Sequence, residues 1–96
     1  MTIETLKSKT LPIFSRRRIT RAAVFGSVAR GEDNEASDVD VLVELKRPYG
    51  LASFVALKRD LEAALNKRVD IVEYDAIKPD FKKNILKDAA VIYEQR

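Results

Sequence analysis

Apolar residues recur along this chain with two different periods, and the switches between them divide it into helices and strands. Residues 51 to 66 carry Leu51, Phe54, Val55, Leu57, Leu61, Ala64 and Leu65, the spacing of an amphipathic helix long enough to cover one face of a sheet. Residues 3 to 15 repeat the pattern more weakly through Ile3, Leu6 and Leu11, with Pro12 expected to kink or end that helix. Between these segments the period shortens to two. Ile19 to Phe25 is rich in β-branched and apolar residues. In the predicted strand 38 to 45, Val39, Val41 and Val43 share one face while Asp38 and Asp40 share the other. A third strand is expected over 68 to 73. Lys46 to Gly50 reads as a turn, and Pro79 precedes a helix over 80 to 88 with Asp80 as its N-cap. Val91 to Tyr93 closes the pattern as a short strand.

Helices and strands alternating in this way predict an α/β (α+β) fold, a small mixed sheet flanked by helices. The 96 residues show no repeats or low-complexity linkers, and the expectation is one domain, 1 to 96, around a modest single core. No run of about 18 apolar residues and no signal-peptide pattern is present, so the expected location is the cytoplasm rather than a membrane.

Composition narrows the chemistry sharply. With no cysteine and no histidine, disulfides, thiolate nucleophiles, zinc centres and imidazole acid–base catalysis are all excluded, and carboxylate with metal is what remains. A net charge of +3 is too small to argue for nucleic acid as the main partner. The one concentrated basic cluster is Arg16-Arg17-Arg18, with Arg21 close by. It reads first as a solvated helix end with cations at the negative pole of the dipole, and second as a contact for an acidic partner or an RNA. No aromatic residues interleave with it as a base-stacking platform would require. Tyr49, Tyr74 and Tyr93 read as packing or rim residues.

The remaining chemistry gathers at one place. Gly26-Ser27 ends the first strand and opens a short helical turn through Arg30. After a ten-residue spacer comes Asp38-Val39-Asp40. Backbone N–H groups at such a turn, with the Ser27 hydroxyl, suit a triphosphate, and Arg30 could add positive charge to it. Asp38 and Asp40, about 7 Å apart along a strand, can converge on a pair of ions. Like charges held together ask for a cation, and oxygen-only ligands favour two Mg²⁺ ions, or Mn²⁺. Asp70, inside the apolar run Val69 to Val72, would complete a three-carboxylate cup if its strand lies beside that of Asp40. Taken singly, a Gly-Ser is usually a turn, an Asp-x-Asp a solvated strand end, and Arg30 with Glu32 a surface ion pair.

In these residues the chain resembles the minimal nucleotidyltransferases of the DNA polymerase β superfamily, whose signature is Gly-Ser, a spacer, Asp-x-Asp and a later acidic residue on a neighbouring strand. Residues 25 to 32 and 37 to 44 match it closely. The likeness continues through Gly50-Leu51, Lys67 to Val72 and Ile85 to Glu94, so it covers nearly the whole chain. The resemblance implies a polymerase-β-like core in which Asp38, Asp40 and Asp70 hold metal and act in catalysis, while Gly26, Ser27 and Arg30 bind nucleotide. It also implies an antitoxin that transfers AMP from ATP to a tyrosine of a helical HEPN-domain ribonuclease toxin. Two competing expectations are an antitoxin that neutralises its toxin by binding alone, and nucleotidyl transfer to a small-molecule or RNA hydroxyl. The length leaves no room for the extra domain with which larger relatives hold a primer or tRNA, so the acceptor surface is expected to come from a partner.

Overall fold

In the computed structural model, which describes residues 1–95, helix α1 (Ile3–Arg16) starts where the Thr2 hydroxyl accepts a hydrogen bond from the Thr5 N–H at 3.1 Å. Its buried stripe is Leu6, Thr10, Ile13 and Phe14, whereas Leu11 points to solvent. Thr10 is tolerated in that stripe because its hydroxyl donates to the Leu6 carbonyl at 2.6 Å. Pro12 neither ends nor divides the helix, contrary to the sequence expectation. It lies on the exposed side, and the i, i+3, i+4 stripe beneath it holds the helix to the sheet.

Four strands form one sheet in the order β3-β2-β1-β4, namely β1 (Ile19–Phe25), β2 (Val39–Leu45), β3 (Val69–Glu73) and β4 (Ala90–Glu94). β1 runs antiparallel to both β2 and β4, while β2 and β3 are parallel, so the sheet is mixed. The parallel pair is joined by α3 (Leu51–Leu65), which ends where Asn66 takes a left-handed conformation at φ 53°. α3 buries Leu57, Leu61 and Leu65, and Phe54 and Ala64 partly. Leu51 and Val55, assigned by periodicity to the same face, are exposed near its N-terminal end.

α1 and α3 pack against each other and cover one sheet face. The core there joins Val39, Val41 and Val43 to Ala22, Val24, Val69 and Ile92. Tyr93 stacks at a tilt on Phe14, ring centroids 5.5 Å apart. The opposite face carries Asp40 and is only partly covered. There α4 (Pro79–Asp88) lies beside β1 and contacts α2 (Gly26–Ala29), which is one turn long and places Val28 in the core. α4 starts one residue earlier than expected. Lys78 is its N-cap and Pro79 its first residue, so Asp80 stands in the first turn rather than at the cap. Among the described residues, no helix is long and apolar enough to cross a membrane.

Candidate active site

β1 delivers its chain end, Phe25-Gly26, directly beside the start of β2. In the sheet register Phe25 pairs with Asp40, and on the other side Asp40 pairs with Asp70 of β3. Three neighbouring strands therefore set a glycine turn, one carboxylate and a second carboxylate in a single row. Gly26 adopts φ 72°, a left-handed conformation that suits glycine, and a Cβ there would strike the Asp40 carboxylate. The turn is closed by the Arg30 N–H to the Gly26 carbonyl at 3.2 Å and the Glu32 N–H to the Ser27 carbonyl at 2.8 Å.

Asp40 is half-buried, whereas Asp38, just ahead of β2, and Asp70 are exposed. Burial, then the charges of Asp70 and Asp38, raise the Asp40 pKa above its ordinary value, with Arg30 pulling in the other direction. Arg30 is itself engaged, Nε to Glu32 at 3.3 Å and Nη1 to Asp88 at 3.5 Å. The structure thus brings Gly26, Asp40 and Asp70 together, with Asp38 and Arg30 close enough to act on the Asp40 charge.

The loop before Asp38 is tied down by residues that the sequence pattern did not single out. Lys67 Nζ donates to the Asn34 carbonyl at 2.8 Å and to the Ser37 carbonyl at 3.5 Å, and the Val39 N–H donates to the Arg68 carbonyl at 2.9 Å. The Ser37 hydroxyl accepts from the Asn34 N–H at 3.0 Å. Lys67 is more than thirty residues downstream of Asn34, and nothing in its local sequence marks the contact.

This donor set fits a hard divalent cation that keeps other oxygens in its shell. All three candidates are carboxylates, and the Asp70 and Asp38 charges act on Asp40 against the opposing charge of Arg30. Among the described residues, no three acidic side chains enclose a metal site by themselves. A cavity of about 270 Å³ lies farther along the same sheet face, lined by Ala23, Leu42, Tyr74, Leu86 and Val91 among others and by none of the three aspartates.

The family described as "Polymerase beta, Nucleotidyltransferase" matches residues 8–96. A Methanocaldococcus jannaschii protein, provisionally named a protein adenylyltransferase, is 43% identical over 89 residues, covering 93% of this chain and 96% of the relative. A solved structure of a protein provisionally described as a minimal nucleotidyltransferase superposes with a TM-score of 0.80 at 39% identity, covering 94% of this chain and 95% of that one. A chain from the structure of a tri-AMPylated Shewanella oneidensis HEPN toxin in complex with MNT antitoxin superposes with a TM-score of 0.73. At 14% identity, covering 98% of this chain and 74% of that one, it shows a shared fold.

Proposed function

The chain belongs to the polymerase β nucleotidyltransferase family, and on that premise we propose that it moves AMP from ATP onto a tyrosine hydroxyl of a HEPN-type toxin, as that toxin's antitoxin. The observation that carries the proposal is the lateral row Phe25-Gly26, Asp40, Asp70, which sets a phosphate turn against two carboxylates on adjacent strands. The 43% identity to a protein named as an adenylyltransferase supports AMP as the group transferred. The fold shared with a chain of an AMPylated HEPN toxin complex supports the acceptor.

In this reading Gly26 and Ser27 orient the β- and γ-phosphates through backbone N–H groups and the Ser27 hydroxyl. Asp38 and Asp40 would hold nucleotide-bound Mg²⁺, or Mn²⁺, and share a second ion with Asp70. Bound there, the ions supply charge neutralisation on the triphosphate and acidify the acceptor hydroxyl. Asp70 takes the proton from that hydroxyl. Its oxygen attacks the α-phosphorus in line, the new P–O bond forms, and the bond to pyrophosphate breaks. Arg30, already shared between Glu32 and Asp88, adds positive charge beside the departing pyrophosphate.

The test is to incubate the protein with a candidate HEPN partner, Mg²⁺ and each α-labelled NTP in turn. The proposal expects label on the partner with ATP alone, lost in Asp40→Asn. A stable complex that never takes label would replace it with an antitoxin acting by occlusion. Label on RNA or a small molecule would reassign the acceptor.

A further inference from the structure

Three consecutive arginines close α1, and the fold makes them the wall of a pocket remote from Asp40. The pocket, about 120 Å³, is lined by Arg16, Arg17, Arg18, Pro48, Tyr49 and Ser53. It sits before the start of β1 and beyond the end of β2, whereas the aspartates sit at the opposite end of those strands. Seven-residue β2 separates the two sites by about 20 Å.

The arginines are held in place, unlike those of a merely solvated helix end. Asp60 of α3 accepts from Arg17 Nε at 2.9 Å and from Arg16 Nη2 at 3.5 Å, fixing two guanidiniums at the rim. Arg18 takes a left-handed backbone conformation, φ 61°, which is unfavourable for a residue bearing a side chain, and its Nη1 donates to the Pro48 carbonyl at 3.4 Å. Three cations against one carboxylate leave an excess of positive charge.

The rest of the lining is also rich in donors. The Tyr49 hydroxyl is buried and has no protein hydrogen-bond partner among the described residues. Burial raises its pKa against the pull of the nearby Arg17 and Arg18 charges, and with no exposed surface the hydroxyl lies behind the lining, out of a ligand's reach. α3 begins after Gly50, which supplies no side-chain cap, so the N–H groups of Leu51, Ala52 and Ser53 are not used by the helix. The carboxylate beside these arginines, Asp60, is already taken by Arg16 and Arg17.

We propose that this pocket binds a phosphate group, carried by inorganic phosphate or by a nucleotide. Guanidiniums, the Ser53 hydroxyl and the opening turn of a fifteen-residue helix at Ser53 together supply donors. The volume leaves room for a tetrahedral oxyanion. The inference is independent of the transfer reaction.

The test follows backbone amide resonances of ¹⁵N-labelled protein, without divalent cations and at constant ionic strength, during titration with inorganic phosphate and separately with AMP. Saturable shifts at Leu51 to Ser53 and Arg16 to Arg18 are expected. They should weaken at least tenfold in Arg18→Gln, which keeps the Arg17–Asp60 pair, and also in Ser53→Ala, should the first variant fold poorly. AMP binding tenfold tighter than phosphate assigns the nucleotide as the source, and equal affinities assign free phosphate. Unsaturable drift that chloride reproduces, or saturable shifts confined to Gly26 to Arg30, would overturn the proposal.

Discussion

Gly26 and Asp40 lie so close that a Cβ on the glycine would strike an Asp40 carboxylate oxygen. The strand end and the carboxylate are therefore parts of one arrangement, and substitution at either position disturbs the other. Gly26→Ala would pay about 1–2 kcal/mol for its left-handed backbone, and it would also push the carboxylate aside. A displacement of about 1 Å at a reacting centre costs roughly 10²-fold in rate. The expected outcome is a folded variant, melting several degrees lower, whose transfer rate falls by about two orders of magnitude. A variant that melts lower but transfers AMP at the wild-type rate would show that Asp40 need not sit where it does.

Asp40→Asn should separate stability from activity. The folded-state pKa of Asp40 is raised above the ordinary 3.8 by burial first, then by Asp70 and Asp38. The native state therefore binds more protons than the unfolded chain above that value, and stability falls as pH rises through the interval. The penalty persists at neutral pH. Removing the charge should abolish transfer yet stabilise the protein by less than about 1 kcal/mol, after allowance for solvent screening. Denaturant melts should show that gain at pH 7 and lose it near pH 3. A destabilised Asp40→Asn at pH 7 would contradict the account.

How much of this was legible beforehand varies residue by residue. The alternation of Val39, Val41 and Val43 with Asp40 identified both faces of β2, because one face is core and the other is not. Periodicity alone left no trace of strand order, and the pairing of Asp40 with Asp70 was expected only through the family resemblance, since it depends on a parallel crossover set by how α3 packs. Pro12 misled because a proline rule is local, whereas the stripe Leu6, Thr10, Ile13 and Phe14 is anchored by tertiary packing. Asp80 misled because Pro79 already satisfies the requirements of the first helical position, moving the cap to Lys78. Arg16 to Arg18 were visible as a cluster, but their partners Asp60, Pro48 and Tyr49 are about 30 to 44 residues away.

Asp60 is expected to show the opposite pH behaviour from Asp40. Its pKa is lowered, chiefly by the hydrogen bond from Arg17, with Arg16 adding to it and desolvation opposing. A depressed folded-state value contributes stability above the unfolded value of 3.8, lost as pH falls through the folded one. Asp60→Asn should therefore cost about 0.5–1 kcal/mol at pH 7 and almost nothing at pH 2. Urea denaturation of both proteins at the two pH values checks this. An equal loss at both would make the contribution one of packing instead of charge.

Pro12 offers a stabilising change. Lacking an N–H, it cannot donate to the carbonyl of Ser8 one turn earlier, and its side chain is exposed, so nothing in the core depends on it. Pro12→Ala should restore that bond at a cost of about 0.4–1 kcal/mol in unfolded-state entropy, for a net gain of about 2 kcal/mol. Thermal melting should rise by several degrees with transfer unchanged. An unchanged or lower melting point would mean that α1 already accommodates the missing bond without strain.

The divalent requirement can be tested without any acceptor. If Asp38, Asp40 and Asp70 hold Mg²⁺, the ion binds the native state alone and should raise wild-type stability, by about 2.7 kcal/mol at a hundredfold excess over its dissociation constant. It should also remove the repulsion that Asp40 experiences from its neighbours. Asp40→Asn begins more stable and loses a ligand, so it should gain little. The two melting curves therefore approach or cross as Mg²⁺ rises, and a chelator restores their order. Equal gains in both proteins would place the ion elsewhere on the surface and leave the carboxylates without their proposed role.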